Sequence, residues 1–205
     1  MSKIGRQDLV QLMMPREIES SMKAFKRRVA PLLAESSLFA HAHDLEQLLD
    51  NQLYGEQGTK VDYLDELPYE YAHFRAGDNV IAIRTEVQRR LANREPDARF
   101  TVFHEISHSI LHRNVRLPRS VIPKGVPTKF RQVEYQADYG AMALAIGAEN
   151  VLRIPLKLIA SLTDLPLLKC EWYFEEVATS GMVSKQKNNA ERQPRVMDDL
   201  FSNFD

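Results

Sequence analysis

The sequence predicts an α+β fold in which a small β-sheet is flanked by helices. Apolar residues recur at three- and four-residue intervals near the N-terminus, the period changes to that of strands between residues 60 and 84, and helical spacing returns from residue 100 onward. The chain has 205 residues, of which 44% are hydrophobic and 27% charged. This length and composition suit one domain with a substantial core and appended helices.

Composition argues against several functional classes. Lys and Arg total 27 and Asp and Glu total 28, so there is no general electrostatic case for binding nucleic acid or an anionic membrane. The single cysteine cannot form an internal disulfide, the first residues lack the apolar run of a signal peptide, and no apolar stretch is long enough to span a bilayer. We therefore expect a cytoplasmic protein without direct contact to nucleic acid or membrane; the sequence leaves its oligomeric state open.

The N-terminal segment, residues 1–56, is predicted to be helical. Residues 8–33 predict one helix, and residues 36–53 a second helix that ends at Gly55. The first helix has an apolar stripe formed by Ile18, Met22, Phe25, Val29 and Leu32. We expect this segment to pack on the central domain, residues 57–150.

Short strands open the central domain. Val61–Leu64 is one candidate, and Tyr69–Phe74 and Val80–Ile83 read as a hairpin joined by turn-forming residues around Gly77. His73 in this hairpin is either an ordinary exposed or packed histidine or a hydrogen-bond donor to a reacting substrate. The charged stretch Thr85–Arg99 is predicted to be a solvated helix and loop, with recognition of an acidic substrate segment as the alternative.

The segment from Phe100 to His112 holds the main chemical signal, a His-Glu-x-x-His pattern on a helix. His104 and His108, four residues apart, lie on one side and can bind one zinc ion, and Glu105 can reach the attacking water instead of the metal. His112 cannot join them on the same ion, because four residues of helix rise by about 6 Å. It is predicted to be a supporting or packing histidine.

A second helical pattern follows and offers the third ligand that zinc needs. Its apolar stripe is formed by Phe130, Val133, Ala137, Ala141, Leu144 and Ala148. Glu134 and Asp138 lie together at the border of that stripe. Glu134 is the predicted third ligand, and Asp138 the predicted acceptor for the other N–H of a ligand histidine; the alternative is two solvated surface acids. Such a nitrogen and oxygen site suits Zn²⁺, although Mn²⁺ or Fe²⁺ could also bind.

The C-terminal part, residues 151–182, predicts a helix at Val151–Leu162 and, after a turn, a helix at Leu167–Thr179. In the latter, Cys170 is predicted to be a buried small hydrophobe rather than a nucleophile. Its stripe also includes Leu167, Phe174 and Val177. Residues 113–129 are predicted to be an irregular connection beside the cleft, and residues 183–205 a disordered tail.

Together these motifs resemble the ImmA/IrrE family of bacterial and phage metallopeptidases. The resemblance covers roughly residues 60–148. It rests on an aromatic-Thr-x-x-His-Glu-x-x-His-x-x-x-His helix that follows a short strand and precedes Glu-x-x-Ala-Asp-x-x-Ala by about thirty residues. Position by position, His104, His108 and Glu134 match the family's metal ligands, and Glu105 matches its catalytic glutamate. Ser107 and Gly140 differ from the usual glycine and phenylalanine, and Met142–Gly147 lacks the family's frequent Leu-Leu-Met-Pro ending. These three differences are expected to affect the substrate groove rather than the ligands.

The resemblance implies a zincin-like core, with a small mixed sheet packed on the active-site helix. It also implies a zinc metalloendopeptidase that cleaves a helix-turn-helix repressor and so derepresses phage, mobile-element or stress genes. By analogy with zincins, we expect the strand Val80–Arg84 to be the sheet edge on which an extended substrate pairs. Two alternatives remain, a non-catalytic metal-containing module that inactivates a repressor or toxin by association, and a general scavenging peptidase.

Overall fold

The computed structural model describes residues 12–29, 49, 58–67, 71–113, 129 and 132–180. Within these ranges it has seven helices and one three-stranded mixed sheet, which confirms the α+β class. The helices are α1 (Pro15–Val29), α2 (Thr85–Ala92), α3 (Pro96–Leu111), α4 (Val133–Ala145), α5 (Ala148–Val151), α6 (Leu156–Thr163) and α7 (Leu167–Thr179). The strands are β1 (Lys60–Leu64), β2 (Ala72–Arg75) and β3 (Val80–Arg84).

The sheet is built around the predicted hairpin. β2 and β3 pair antiparallel across the turn at residues 76–79, and β1 adds to the other side of β3 in parallel, with Lys60 opposite Val80. The turn closes at Asn79, whose φ of 55° is a left-handed value that asparagine tolerates well. The Asn79 side-chain amide donates a 2.6 Å hydrogen bond to the carbonyl of Gly58, which ties the turn to the residues before β1.

The prediction that Val80–Arg84 forms a sheet edge is wrong. The strand order is β1-β3-β2, so β3 is central, and its residues from Val80 to Ile83 are all buried, as is typical of a strand covered on both sides. The edge strand that packs against α3 is β2. Because the Arg84 N–H bonds to the Tyr71 carbonyl, the antiparallel alternation turns the backbone N–H of Phe74 away from β3. That N–H bonds to Glu105 instead.

Helix α4 is the centre of the helical layer and packs against α1, α3 and α7. From Gln136 to Ile146 every residue except Asp138 is buried, so the predicted single apolar stripe was too narrow. Gly140 marks the close approach of α4 to α3. A Cβ added at Gly140 would lie 3.0 Å from the Cβ of Ser107, so these two small residues set the distance between the helices. Both residues are buried between the two helices, whereas we expected them to affect a substrate groove.

Helix α1 begins later than predicted. Residues 12–14 are not helical, and the helix starts at Pro15, because proline favours the first helical position and pushes the residue before it into an extended conformation. The Glu17 carboxylate accepts the Met14 N–H at 2.7 Å, which caps the first turn. The predicted stripe is buried from Ile18 to Val29. Residues 8–11 and 30–33 lie outside the described residues, as does the second predicted helix except for Leu49, which is buried.

Three further predictions need correction. The helix predicted at Val151–Leu162 begins later, because residues 152–155 are not helical: Val151 is the last residue of α5, and α6 begins after Pro155. In α7 the buried stripe is Cys170, Tyr173 and Val177, whereas Phe174 is 37% exposed. Arg99, predicted to be solvated, is buried, and its guanidinium lies 5.5 Å from the centre of the Phe103 ring.

Other predictions lie outside the described residues. These include the tail at 183–205 and nearly all of the connection at 113–129. Among the helices that the structure describes, none has the length and apolar character needed to cross a bilayer.

Candidate metal centre

Three predicted ligands converge between α3 and α4. The Nε2 atoms of His104 and His108 are 2.9 Å apart, and the Glu134 carboxylate lies 3.2 Å from the former and 3.7 Å from the latter. The two histidines are one turn apart on α3, and Glu134 comes from the first turn of α4. The three side chains therefore present one donor atom each to a common point, all within 4.8 Å of one another.

This spacing suits a metal ion. Around a tetrahedral zinc with ligand distances of about 2.0–2.1 Å, neighbouring donors lie about 3.3–3.4 Å apart. The observed separations, from 2.9 to 3.7 Å, fall on either side of that value, with Oε2 of Glu134 facing His104 and Oε1 facing His108. Two imidazole nitrogens and one carboxylate are also a donor set that first-row divalent metals accept. His104, His108 and Glu134 could thus hold a metal ion.

On one side of the centre, Asp138 determines the orientation of His104. Its Oδ1 lies 2.8 Å from His104 Nδ1, and an ionised carboxylate can only accept a hydrogen bond. His104 therefore carries its proton on Nδ1 and turns the lone pair of Nε2 toward the other two donors. The second oxygen of Asp138 accepts a 2.8 Å bond from the Lys169 ammonium of α7.

On the other side, His108 is oriented by a chain of neutral groups. The Oε1 of Gln136 accepts from His112 Nε2 at 2.9 Å, which leaves His112 Nδ1 as an acceptor for the Nδ1–H of His108, also at 2.9 Å. Burial lowers the pKa of His112 to about 4, so it is neutral near pH 7 and can accept. His108 consequently also points an unprotonated Nε2 at the common point.

With both histidines oriented in this way, their Nε2 lone pairs repel each other, and a cation between them relieves the repulsion. Two nitrogen lone pairs 2.9 Å apart repel each other unless a proton or a metal ion lies between them. A raised pKa of His104 favours a proton in that place when no metal is bound. Burial by itself would lower the pKa of His104, but hydrogen bonds to Asp138 and Glu134 and the charge of Glu105 raise it to about 9. Hydrogen bonds to the same two histidines hold the pKa of Glu134 well below its ordinary value.

Glu105 lies beside the three donors without joining them. It follows His104 on α3 and is 7% exposed. Burial raises the pKa of its carboxyl, and electrostatic interactions with the neighbouring histidines and a hydrogen bond from the Phe74 N–H offset this only in part. Burial therefore makes Glu105 a stronger base than an exposed glutamate, beside the metal position. His73 is exposed on β2 and interacts electrostatically with Glu105.

Gln136, Lys169 and the Phe74 N–H were not identified from the sequence. Gln136 carried a weak signal, because a glutamine between two predicted site acids on a buried helix must find a polar partner. Lys169 lies 31 residues beyond Asp138 on another helix, and no local pattern connects the two. The role of Phe74 is a backbone contact, which the identity of its side chain does not indicate.

No protein-family model, curated protein or solved structure was found to match this chain.

Proposed function

We propose that the protein is a zinc-dependent metalloendopeptidase with a zincin-like core, related to the ImmA/IrrE family, and that its substrate is a helix-turn-helix repressor. One observation carries the proposal of catalysis. One donor atom each of His104, His108 and Glu134 lies within 4.8 Å of the others, and a buried carboxylate with a raised pKa, Glu105, interacts with both histidines. A site that only stabilised the fold would not need that carboxylate. The repressor as substrate rests on the sequence resemblance.

The chain's own residues have separate tasks in this hypothesis. Zinc bound to the three donors would act as a Lewis acid toward the scissile carbonyl and lower the pKa of water. Glu105 accepts the proton of the attacking water and delivers it to the leaving amine. Asp138 and the pair His112 and Gln136 keep the Nε2 lone pairs of the two histidines directed at the metal.

Strand β2 is the proposed guide for the substrate backbone. Its outer edge is not paired with any other strand that the structure describes, and its Phe74 N–H lies against Glu105. A peptide that extended the sheet along β2 would pass the catalytic base. This replaces β3 with β2 as the strand expected to pair with substrate.

The test measures zinc content and cleavage of a repressor encoded beside this gene for four proteins, the wild type and three variants. Wild type is expected to bind about one zinc and to produce fragments that a chelator abolishes. Glu105→Gln should retain zinc but lose cleavage by at least about a hundredfold, in the range that general acid–base catalysis contributes. His104→Ala should lose both zinc and cleavage. Glu171→Gln, the same change at an exposed position of α7, should behave as wild type.

Cleavage by Glu105→Gln at the wild-type rate would refute the assigned base. A stable complex with the repressor that forms without fragments, whether or not a chelator is present, would instead identify the protein as a binding module. Equal cleavage of casein would point to a general peptidase.

A further inference from the structure

Lys169 of α7 contacts the candidate metal centre through Asp138, which is not one of its three donors. Its ammonium lies 2.8 Å from Asp138 Oδ2, and the other oxygen of Asp138, Oδ1, lies 2.8 Å from His104 Nδ1. The same ammonium is 4.2 Å from the centre of the Phe100 ring, one turn before His104 on α3. The lysine thus contacts both helices that carry the metal ligands.

These contacts constrain the rotation of the Asp138 carboxylate. A carboxylate held through only one oxygen can rotate about its last bond, and its hydrogen bond to a histidine then loses alignment. Here each oxygen has a different cationic or N–H donor, and the lysine is itself positioned over an aromatic ring. The side chains of Lys169 and Asp138 are only 35% and 28% exposed, so solvent weakens this pair less than it would a surface ion pair.

We propose that Lys169 is a positioning residue for the metal centre, which holds Asp138 so that His104 keeps its Nε2 directed at the metal. The proposal rests on the proposed metal site. It assigns a role in that site to the C-terminal helix α7, which contains none of the ligands.

A positioning role and a purely electrostatic role predict opposite results when Lys169 is removed. If the lysine acted only through its charge, its loss would remove a repulsion and strengthen binding of a divalent cation. If it acts by holding Asp138, its loss weakens metal binding, because partners behind a ligand histidine typically change metal affinity by about 10–100-fold. The direction of the change therefore distinguishes the two roles.

The experiment measures zinc affinity of the full chain by competition with a chromophoric chelator. We expect Lys169→Met to bind zinc about tenfold more weakly than wild type, the lower end of the range for such partners. Lys169→Arg, which keeps a cationic donor, should stay within about threefold of wild type. Lys157→Met is the matched control, since it makes the same change at an exposed position of α6 and should leave the affinity unchanged.

The outcomes separate this proposal from the proposed function. Zinc affinity in Lys169→Met equal to or higher than in wild type would overturn the positioning role and leave the metal site intact. So would a loss in Lys169→Arg as large as that in Lys169→Met, and this comparison remains available if the methionine variant does not fold. Wild type that binds zinc no better than His104→Ala would instead refute the metal site itself.

Discussion

The two histidines of the candidate metal centre lie on adjacent turns of one helix, yet their side chains are held in different ways. His104 is hydrogen-bonded to the carboxylate of Asp138, which also accepts a hydrogen bond from Lys169 of α7. We call these two residues the Asp138 side. His108 is held by a buried imidazole and an amide, the His112 side, within α3 and α4. The Asp138 side is charged and partly exposed, whereas the His112 side is neutral and buried.

The difference separates two requirements of a metal site. A carboxylate behind a histidine strengthens its attraction for a cation, so the Asp138 side sets how strongly the centre holds a proton or a metal. A neutral chain cannot supply that attraction; with the carbonyl oxygen of Gln136 facing His112, as observed, the His112 side only directs the Nε2 lone pair of His108 toward the centre. Perturbing the charged side should therefore have the larger effect.

The largest expected effect is the loss of stability of the metal-free protein as pH rises. The pKa of His104 is 6.5 as an ordinary value and about 9 in the folded chain, so its stabilising contribution is fully present below pH 6.5 and is lost as pH rises through 9. This corresponds to about 3 kcal/mol of the free energy of unfolding, at about 1.4 kcal/mol per pH unit of pKa difference. Denaturant unfolding in chelator at about pH 6 and about pH 10 measures it.

His104→Ala provides the control, because subtracting its pH dependence removes the contribution of every other titrating group. Saturating zinc should abolish the His104 contribution as well, since the metal replaces the proton. The lowered pKa of Glu134 arises from the same contacts and acts only in acid, so it adds nothing in this interval. A difference of less than about 1 kcal/mol between the two proteins would show that the Asp138 side does not raise the proton affinity of the centre.

The second prediction exchanges the charge of Asp138 for an amide. In Asp138→Asn the oxygen can face either His104 or Lys169, and the amide N–H₂ then faces the other, where it meets a second donor. When the amide N–H₂ faces His104, it donates to Nδ1 and stabilises the tautomer with the proton on Nε2. That proton blocks the metal. We expect zinc affinity to fall by about 50-fold, the equivalent of one charge-assisted hydrogen bond of about 2 kcal/mol.

A double variant sharpens this test. Adding Lys169→Met to Asp138→Asn removes the competing donor and should recover part of the zinc affinity, although Lys169→Met alone lowers it. If the loss of zinc binding free energy in the double variant equalled the sum of the losses in the two single variants, Asp138 and Lys169 would act independently.

The comparison also explains which parts of the structure the sequence could predict. The convergence of His104 and His108 could be predicted because four-residue spacing on a helix places side chains on one face. Glu105 was predicted as the base from its place in the motif, which the structure does not test. Glu134 and Asp138 were predicted to join the histidines because they sit at the border of an apolar stripe, and the structure places both beside His104. Even there the prediction was incomplete, because α4 is buried almost all round by α1 and α7, whose positions do not follow from the pattern of α4 itself.

The features that could not be predicted are the strand order in the sheet and the position of α7, which depend on tertiary packing rather than on local sequence. β1 precedes the hairpin in sequence but adds to β3 and not to β2, which makes β2 the edge strand beside α3. Lys169 can contact Asp138 only because α7 packs beside α4, and the position of α7 depends on the burial of Cys170, Tyr173 and Val177. Local periodicity contains neither piece of information.

The smallest predicted effect concerns the neutral side. His112→Phe keeps a ring of similar size but removes the acceptor for the Nδ1–H of His108 and the donor to Gln136. Because the lost bond to His108 is between neutral groups and contributes about 1 kcal/mol, we expect zinc affinity to fall by about fivefold, well below the loss in Asp138→Asn. Zinc titration of both variants in the same chelator competition measures the ratio. If His112→Phe proved the more damaging of the two, direction rather than charge would limit metal binding, and the neutral chain would be the dominant support of the centre.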